Sequence, residues 1–128
     1  MKPEKPFSFR DRLAAFPHAF NGLKLFFKYE HNARIHLVLG LAAIGISLWL
    51  RLSRERFCIV ILTIAMVGAA EALNTVLEIL VNMVSPNYSE IARRAKDVGA
   101  AAVLIACLAA TAVGAILLLP PFLARLGL

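Results

Sequence analysis

The sequence predicts an all-α membrane protein: an N-terminal amphipathic surface helix followed by three transmembrane helices. Three observations carry that expectation. Of 128 residues, 60% are hydrophobic and 17% charged, whereas an ordinary soluble domain is nearer half apolar and about a quarter charged. The apolar residues collect in three long runs. The Lys and Arg residues, 14 against 8 Asp and Glu, sit at the edges of those runs rather than in a basic stripe with aromatics, so the positive charge reads as an orientation signal and no nucleic-acid partner is expected.

The length suits one domain, 1–128, and the runs consume most of it. Residues 1–7, with Pro3 and Pro6, read as a disordered lead. Over 8–29 the apolar side chains of Leu13, Phe16, Phe20, Leu23 and Phe27 recur three or four apart with Arg12, Lys24 and Lys28 between them, the pattern of a helix lying flat in the membrane interface. Pro17 is expected to kink or split it. No short apolar core with a small-residue cleavage site stands in this segment, so no cleaved signal peptide is expected.

The first membrane helix, 33–51, is built on "IHLVLGLAAIGISLWL", bracketed by Arg34 and Arg51, with Trp49 as an interfacial aromatic. The second, 57–84, starts at Phe57 after the charged "RLSRER". "SPNYS", residues 85–89, is a turn signal. The third, 89–119, has Glu90 in its first turn and is expected to stop at Pro120 and Pro121. Cys58 and Cys107 lie inside apolar runs and read as packing residues. Ala102, Ala106, Ala110 and Gly114 stand four apart and make a smooth stripe for close helix approach, within one chain or between copies.

With three spans, the N-terminus and the 85–96 connection share one face. That face carries ten of the 14 Lys and Arg residues, and the other carries Arg51, Arg54, Arg56 and Arg125. The positive-inside rule makes the N-terminal face cytoplasmic.

The second run contains its own contradiction. "EALNTVLEILVN" sets Glu71, Asn74, Glu78 and Asn82 at steps of 3, 4 and 4, a polar stripe on one helical face. A helix over 57–84 is about 42 Å long against a hydrocarbon core of roughly 30 Å. Counted from the outer end, Glu78 and Asn82 reach the headgroups, while Glu71 lies about two turns inside. A carboxylate there costs on the order of 2.5–3.5 kcal/mol on insertion scales and normally has a function. Polar glue between helices is the plain reading. Two acids two turns apart at a cytoplasmic boundary also fit a deep general base for a lipid hydroxyl and a shallow ligand for a metal or charged cosubstrate. Glu30, Asn32 and Arg34 from "KYEHNARIH", and Lys96 and Asp97 from "ARRAKDVGAAAV", fall at the same level. Several carboxylates with Lys and Arg suit a divalent cation carrying polyphosphate. A non-catalytic membrane subunit or ion carrier is the alternative from another class.

"EALNTVLEILVN", "AKDVGAAAVLIA", "EHNARIH" and the turn "SPNYS" together resemble, in order and spacing, the signature blocks of the small prokaryotic diacylglycerol kinase and undecaprenol kinase family, over about residues 9–119. The resemblance implies a lipid kinase of the bacterial cytoplasmic membrane that uses ATP and Mg2+ to phosphorylate a lipid alcohol. It also implies a homotrimer with sites shared between protomers. By position it makes Glu71 the catalytic base, Glu30 and Glu78 the metal and nucleotide ligands, Tyr88, Lys96 and Asp97 further nucleotide contacts, and Asn74 and Asn32 part of the substrate shell. Three positions depart from the pattern. Asn82 replaces the usual Asp, His18 replaces a nucleotide-stacking Tyr, and Asp11 stands where an Arg is expected, with Arg10 and Arg12 beside it; Arg12 is the expected substitute. "NARIHLVLGL" resembles the undecaprenol kinase branch more than the diacylglycerol kinase branch.

Overall fold

Serine side chains set where three of the helices start. In the computed structural model, which describes residues 8–128, five helices follow in order: α1 (Phe9–Leu13), α2 (Ala15–Tyr29), α3 (His31–Trp49), α4 (Arg54–Val84) and α5 (Glu90–Arg125), with no strand among the described residues. The expected lead over 1–7 lies outside the described residues. Ser8 Oγ accepts from the Asp11 amide, Ser53 Oγ from Arg56 and Ser89 Oγ from Ala92, each satisfying an amide that a helix start leaves unbonded.

The Ser53 cap explains why α4 begins at Arg54 and not at Phe57. "RLSRER" reads as a loop by its charge, but a Ser followed by Glu55 in the first turn is a helix start. At the N-terminal helix the break falls at Ala14 and not at Pro17. Pro17 lies in the first turn of α2, where its missing N–H would have had no helical acceptor.

By contacts the chain divides into two units, one ending at Glu30 and one running His31–Leu128. In the second unit α4 packs against both α3 and α5, which touch each other more sparsely. All three are long and apolar enough to cross a membrane. Their buried seam runs in sevens: Ala33, Gly40 and Ser47 on α3, Val60 and Val67 on α4, Gly99 and Ala106 on α5. That spacing belongs to helices wound closely along one another, and small residues permit the approach. A Cβ on Gly40 would come within 3.0 Å of Ile64 Cγ2. Of the expected small-residue stripe on α5, Ala106 is buried within the chain, Ala110 and Gly114 are half-buried and Ala102 is exposed, so the intrachain seam follows the seven-residue step through Gly99 instead.

Two Schellman motifs close one end. At α3 the Arg51 amide donates to Leu48 O at 3.1 Å and the Leu52 amide to Ser47 O at 3.1 Å, with Arg51 at φ 53, a left-handed conformation costing a non-glycine residue about 1–2 kcal/mol. At α5 the expected stop at Pro120 does not occur: the helix runs on to Arg125 and is closed by Gly127, φ 76. The Gly127 amide reaches Ala124 O at 3.3 Å and that of Leu128 reaches Leu123 O at 3.1 Å. The prolines remove only the bonds back to Ile116 and Leu117. Tertiary contacts hold the turn beyond them, because the Phe122 ring packs 6.0 Å from that of Trp49 and the Arg125 guanidinium lies 4.7 Å above the Trp49 ring.

Candidate active site

Three hydroxyls on the apolar helices are satisfied within their own helix. Ser47 Oγ donates to Ala43 O at 2.7 Å, Thr63 Oγ1 to Ile59 O at 2.7 Å and Thr111 Oγ1 to Cys107 O at 2.8 Å, each four residues back along its own helix. The acid stripe of α4 differs. Glu71 is only 3% exposed, Asn74 is half-buried, and Glu78 and Asn82 are exposed. Asn74 Nδ2 donates to Glu78 Oε1 at 3.1 Å. Glu71 Oε2 and Asn74 Oδ1 are buried and have no hydrogen-bond partner, at a cost of about 1–3 kcal/mol for each such group. His36 Nε2 lies 3.9 Å from Glu71 Oε2, beyond hydrogen-bond range.

Gly99 sets the depth of the stripe against α5. A Cβ there would collide with Asn74 Oδ1 and lie 3.2 Å from Leu77 Cδ2, so glycine lets the α5 backbone come up to the carboxamide. Lys96 and Asp97 are within a turn of Gly99 and so stand at the level of Asn74 and Glu78. Asp97 also belongs to a network at the start of α5. The Tyr88 hydroxyl donates to Glu90 Oε2 at 3.0 Å, Arg93 donates to both Glu90 oxygens at 2.7 and 3.2 Å, and Arg93 Nη1 donates to Asp97 Oδ2 at 3.1 Å.

The structure thus gathers Asn74, Glu78, Lys96 and Asp97 at one level, sets Glu71 one turn deeper than Asn74, and ties Tyr88 to Asp97 through Glu90 and Arg93. Asn32 is exposed in the first turn of α3. Glu30 and Arg12 belong to the N-terminal unit, where half-buried Glu30 ends α2 with its amide on Phe26 O at 3.0 Å. Sequence reasoning passed over His36, a titratable residue inside an apolar run, and did not pair Arg93 with Glu90 and Asp97, which stand three and four residues from it.

No group of three or more His, Cys, Asp and Glu side chains among the described residues makes an all-protein metal cage. Magnesium carried on polyphosphate does not require one, since it keeps its waters and takes one or two carboxylates besides the phosphates. Exposed Glu78, anchored through Asn74, is a donor of that kind.

Three membrane-capable helices with an orphaned buried carboxylate among them define a small multi-pass membrane protein with a polar site inside its helix bundle. Comparison with known proteins gives the family: residues 17–118 match the family described as prokaryotic diacylglycerol kinase, and the chain belongs to it. It is 41% identical over 112 residues to a diacylglycerol kinase of Synechocystis sp., covering 87% of this chain and 64% of that protein. It is 33% identical over 106 residues to the diacylglycerol kinase of Escherichia coli K12, covering 83% and 87%. To the undecaprenol kinase of Bacillus subtilis it is 27% identical over 106 residues, covering 83% and 86%. Overall identity therefore runs higher to these two diacylglycerol kinases, against the branch that the "NARIHLVLGL" block resembles.

Proposed function

We propose that this protein is a lipid kinase that transfers the terminal phosphate of ATP to the hydroxyl of a membrane lipid alcohol, diacylglycerol or undecaprenol, at the cytoplasmic leaflet. The observation that carries the reading is the orphaned Glu71 carboxylate oxygen, buried at 3% exposure in an apolar bundle. A buried acceptor without a donor is a standing cost unless a ligand supplies the donor, and a lipid alcohol has such an O–H.

In this reading Glu71 takes the hydroxyl proton as the lipid oxygen bonds to phosphorus and ADP departs. Asn74 holds Glu78 in place through the 3.1 Å bond and, with Asn32, borders the lipid headgroup. Glu78 and Glu30 are the carboxylates assigned to magnesium, which when bound neutralises charge on the phosphate oxygens. Lys96 offsets charge that develops on transfer, while Tyr88, Asp97 and Arg12 contact the nucleotide. The family resemblance, rather than any measured separation, links Glu30 and Arg12 to the others, and it also supports a homotrimer with shared sites. The count of Lys and Arg supports a cytoplasmic N-terminus, and the apolar periodicity of 8–29 supports a helix lying on the membrane. No feature of the site favours the carrier alternative.

The test is a radiolabelled ATP assay on the purified full-length protein in mixed micelles containing diacylglycerol or undecaprenol, with magnesium and with the metal chelated. Label should pass to at least one lipid with magnesium and to none without it. No transfer to any lipid alcohol overturns the reading.

A further inference from the structure

His36 enters the bundle from α3 and stands between the other two helices. Its Nε2 lies 3.9 Å from Glu71 Oε2 on α4 and 4.0 Å from Cys107 Sγ on α5. The carboxylate oxygen that it faces is the one without a hydrogen-bond partner. An imidazole placed only to fill space gains nothing from aiming a ring nitrogen at a buried acid, and an apolar residue of similar size would avoid desolvating it.

We propose that His36 is a positioning residue for Glu71. Nε2–H donates to one lone pair of Oε2, fixing the carboxylate rotamer and leaving that oxygen's second lone pair for the proton that the lipid hydroxyl gives up. Donation from Nε2 also fixes the tautomer, with Nδ1 bare. Cys107 Sγ borders the same nitrogen at 4.0 Å, and as a weak acceptor it leaves the carboxylate the stronger partner for the Nε2 proton. The 3.9 Å separation closes with a small rotation of either side chain, and hydrogen bonds at catalytic groups are commonly long before substrate binds and shorten in the complex. A base presented by a donor on a third helix makes proton abstraction depend on how α3 sits against α4, and Gly40 against Ile64 fixes that packing one turn further in.

The inference rests on reading Glu71 as the base, and its test separates the two. His36→Leu keeps the volume and removes the donor, whereas His36→Gln keeps an N–H at the reach of Nε2. His36→Leu should lower kcat at least about tenfold, since a small misplacement of a catalytic group costs up to roughly 10² in rate, while KM for ATP stays within about twofold. His36→Gln should recover most of the loss. Independently of turnover, the 15N resonances of His36 in the purified protein should report an Nε2-protonated ring and should shift in Glu71→Gln. Turnover of His36→Leu within about twofold of the parent, equal impairment of the Leu and Gln variants, or His36 resonances indifferent to Glu71→Gln would each overturn the proposal. A protein that phosphorylates nothing but shows the resonance shift keeps the pairing and loses the kinase reading.

Discussion

Where α3 gives way to α4, Trp49 is packed by Phe122 and Arg125, and both nearby helix ends close in Schellman motifs. In the middle of α4, toward the side of the α4–α5 turn, two buried oxygens have no partner and an imidazole faces one of them across 3.9 Å. The same apolar helices run between these regions, so the difference is not one of composition or of general packing. One region uses its polar and aromatic groups to hold α3 to α5, and the other leaves two buried oxygens without a hydrogen-bond partner. The hydroxyls of Ser47, Thr63 and Thr111 sharpen the contrast, because each is satisfied within its own helix.

The largest effect expected from breaking this contrast is at Glu71. Glu71→Gln keeps the shape and removes the basic oxygen, and phosphorylation should fall by roughly 10²–10⁴, the usual contribution of a general base. Helix content and oligomeric state by size exclusion should not change, because an amide buried there is no harder to accommodate than an orphaned carboxylate. Near-normal turnover would remove the base assignment.

Gly99 comes next. Gly99→Ala places a methyl on Asn74 Oδ1, which must push α5 outward or turn the carboxamide away from Glu78. Overpacking of this kind costs about 1–3 kcal/mol, read as a lower thermal midpoint in detergent. Activity per folded molecule should drop about tenfold or more through displacement of Asn74 and Glu78. Lost stability with unchanged kcat and KM would mean that the carboxamide takes no part in the site.

Much of this was legible in the sequence, for identifiable reasons. The three spans show because a bilayer requires long apolar runs, and the acid stripe shows because Glu71, Asn74 and Glu78 fall three and four apart inside one. Two things could not be read. Helix ends depend on side-chain caps and tertiary contacts, so the Ser53 start was hidden among charges and the continuation past Pro120 depended on the Trp49 clasp. Pairings across helices depend on relative depth, and nothing local says that residue 36 meets residues 71 and 107, or that residue 99 meets residue 74. The small-residue stripe shows the same limit: spacing of four picked out Ala102 and Ala106 together, whereas the packing angle buries Gly99 and Ala106 and leaves Ala102 outside.

At the closed end the expected effects are on stability alone. Trp49→Ala removes a cation–π contact and a tilted aromatic pair, together worth about 1–2 kcal/mol. The thermal midpoint should fall while lipid phosphorylation per folded molecule stays within about twofold. A matching loss of kcat would mean that the two regions are mechanically coupled through α5, and the division between them would not hold.

Ser47→Ala should do least, although Ser47 is the most deeply buried polar residue at 1% exposure. Its hydroxyl serves only the Ala43 carbonyl, which lies mid-helix and retains its backbone donor, so the variant exchanges a self-satisfied group for a methyl of nearly the same size. Neither stability, within about 0.5 kcal/mol, nor activity should move. The comparison with Glu71 is the point of the experiment. Burial alone does not make a polar group functional in this bundle; a missing partner is what separates residue 71 from residue 47. A loss above about 1 kcal/mol on removing the Ser47 hydroxyl would show that buried polar groups here act between helices regardless of partner, and the orphaned oxygen of Glu71 would no longer single out its region of the molecule.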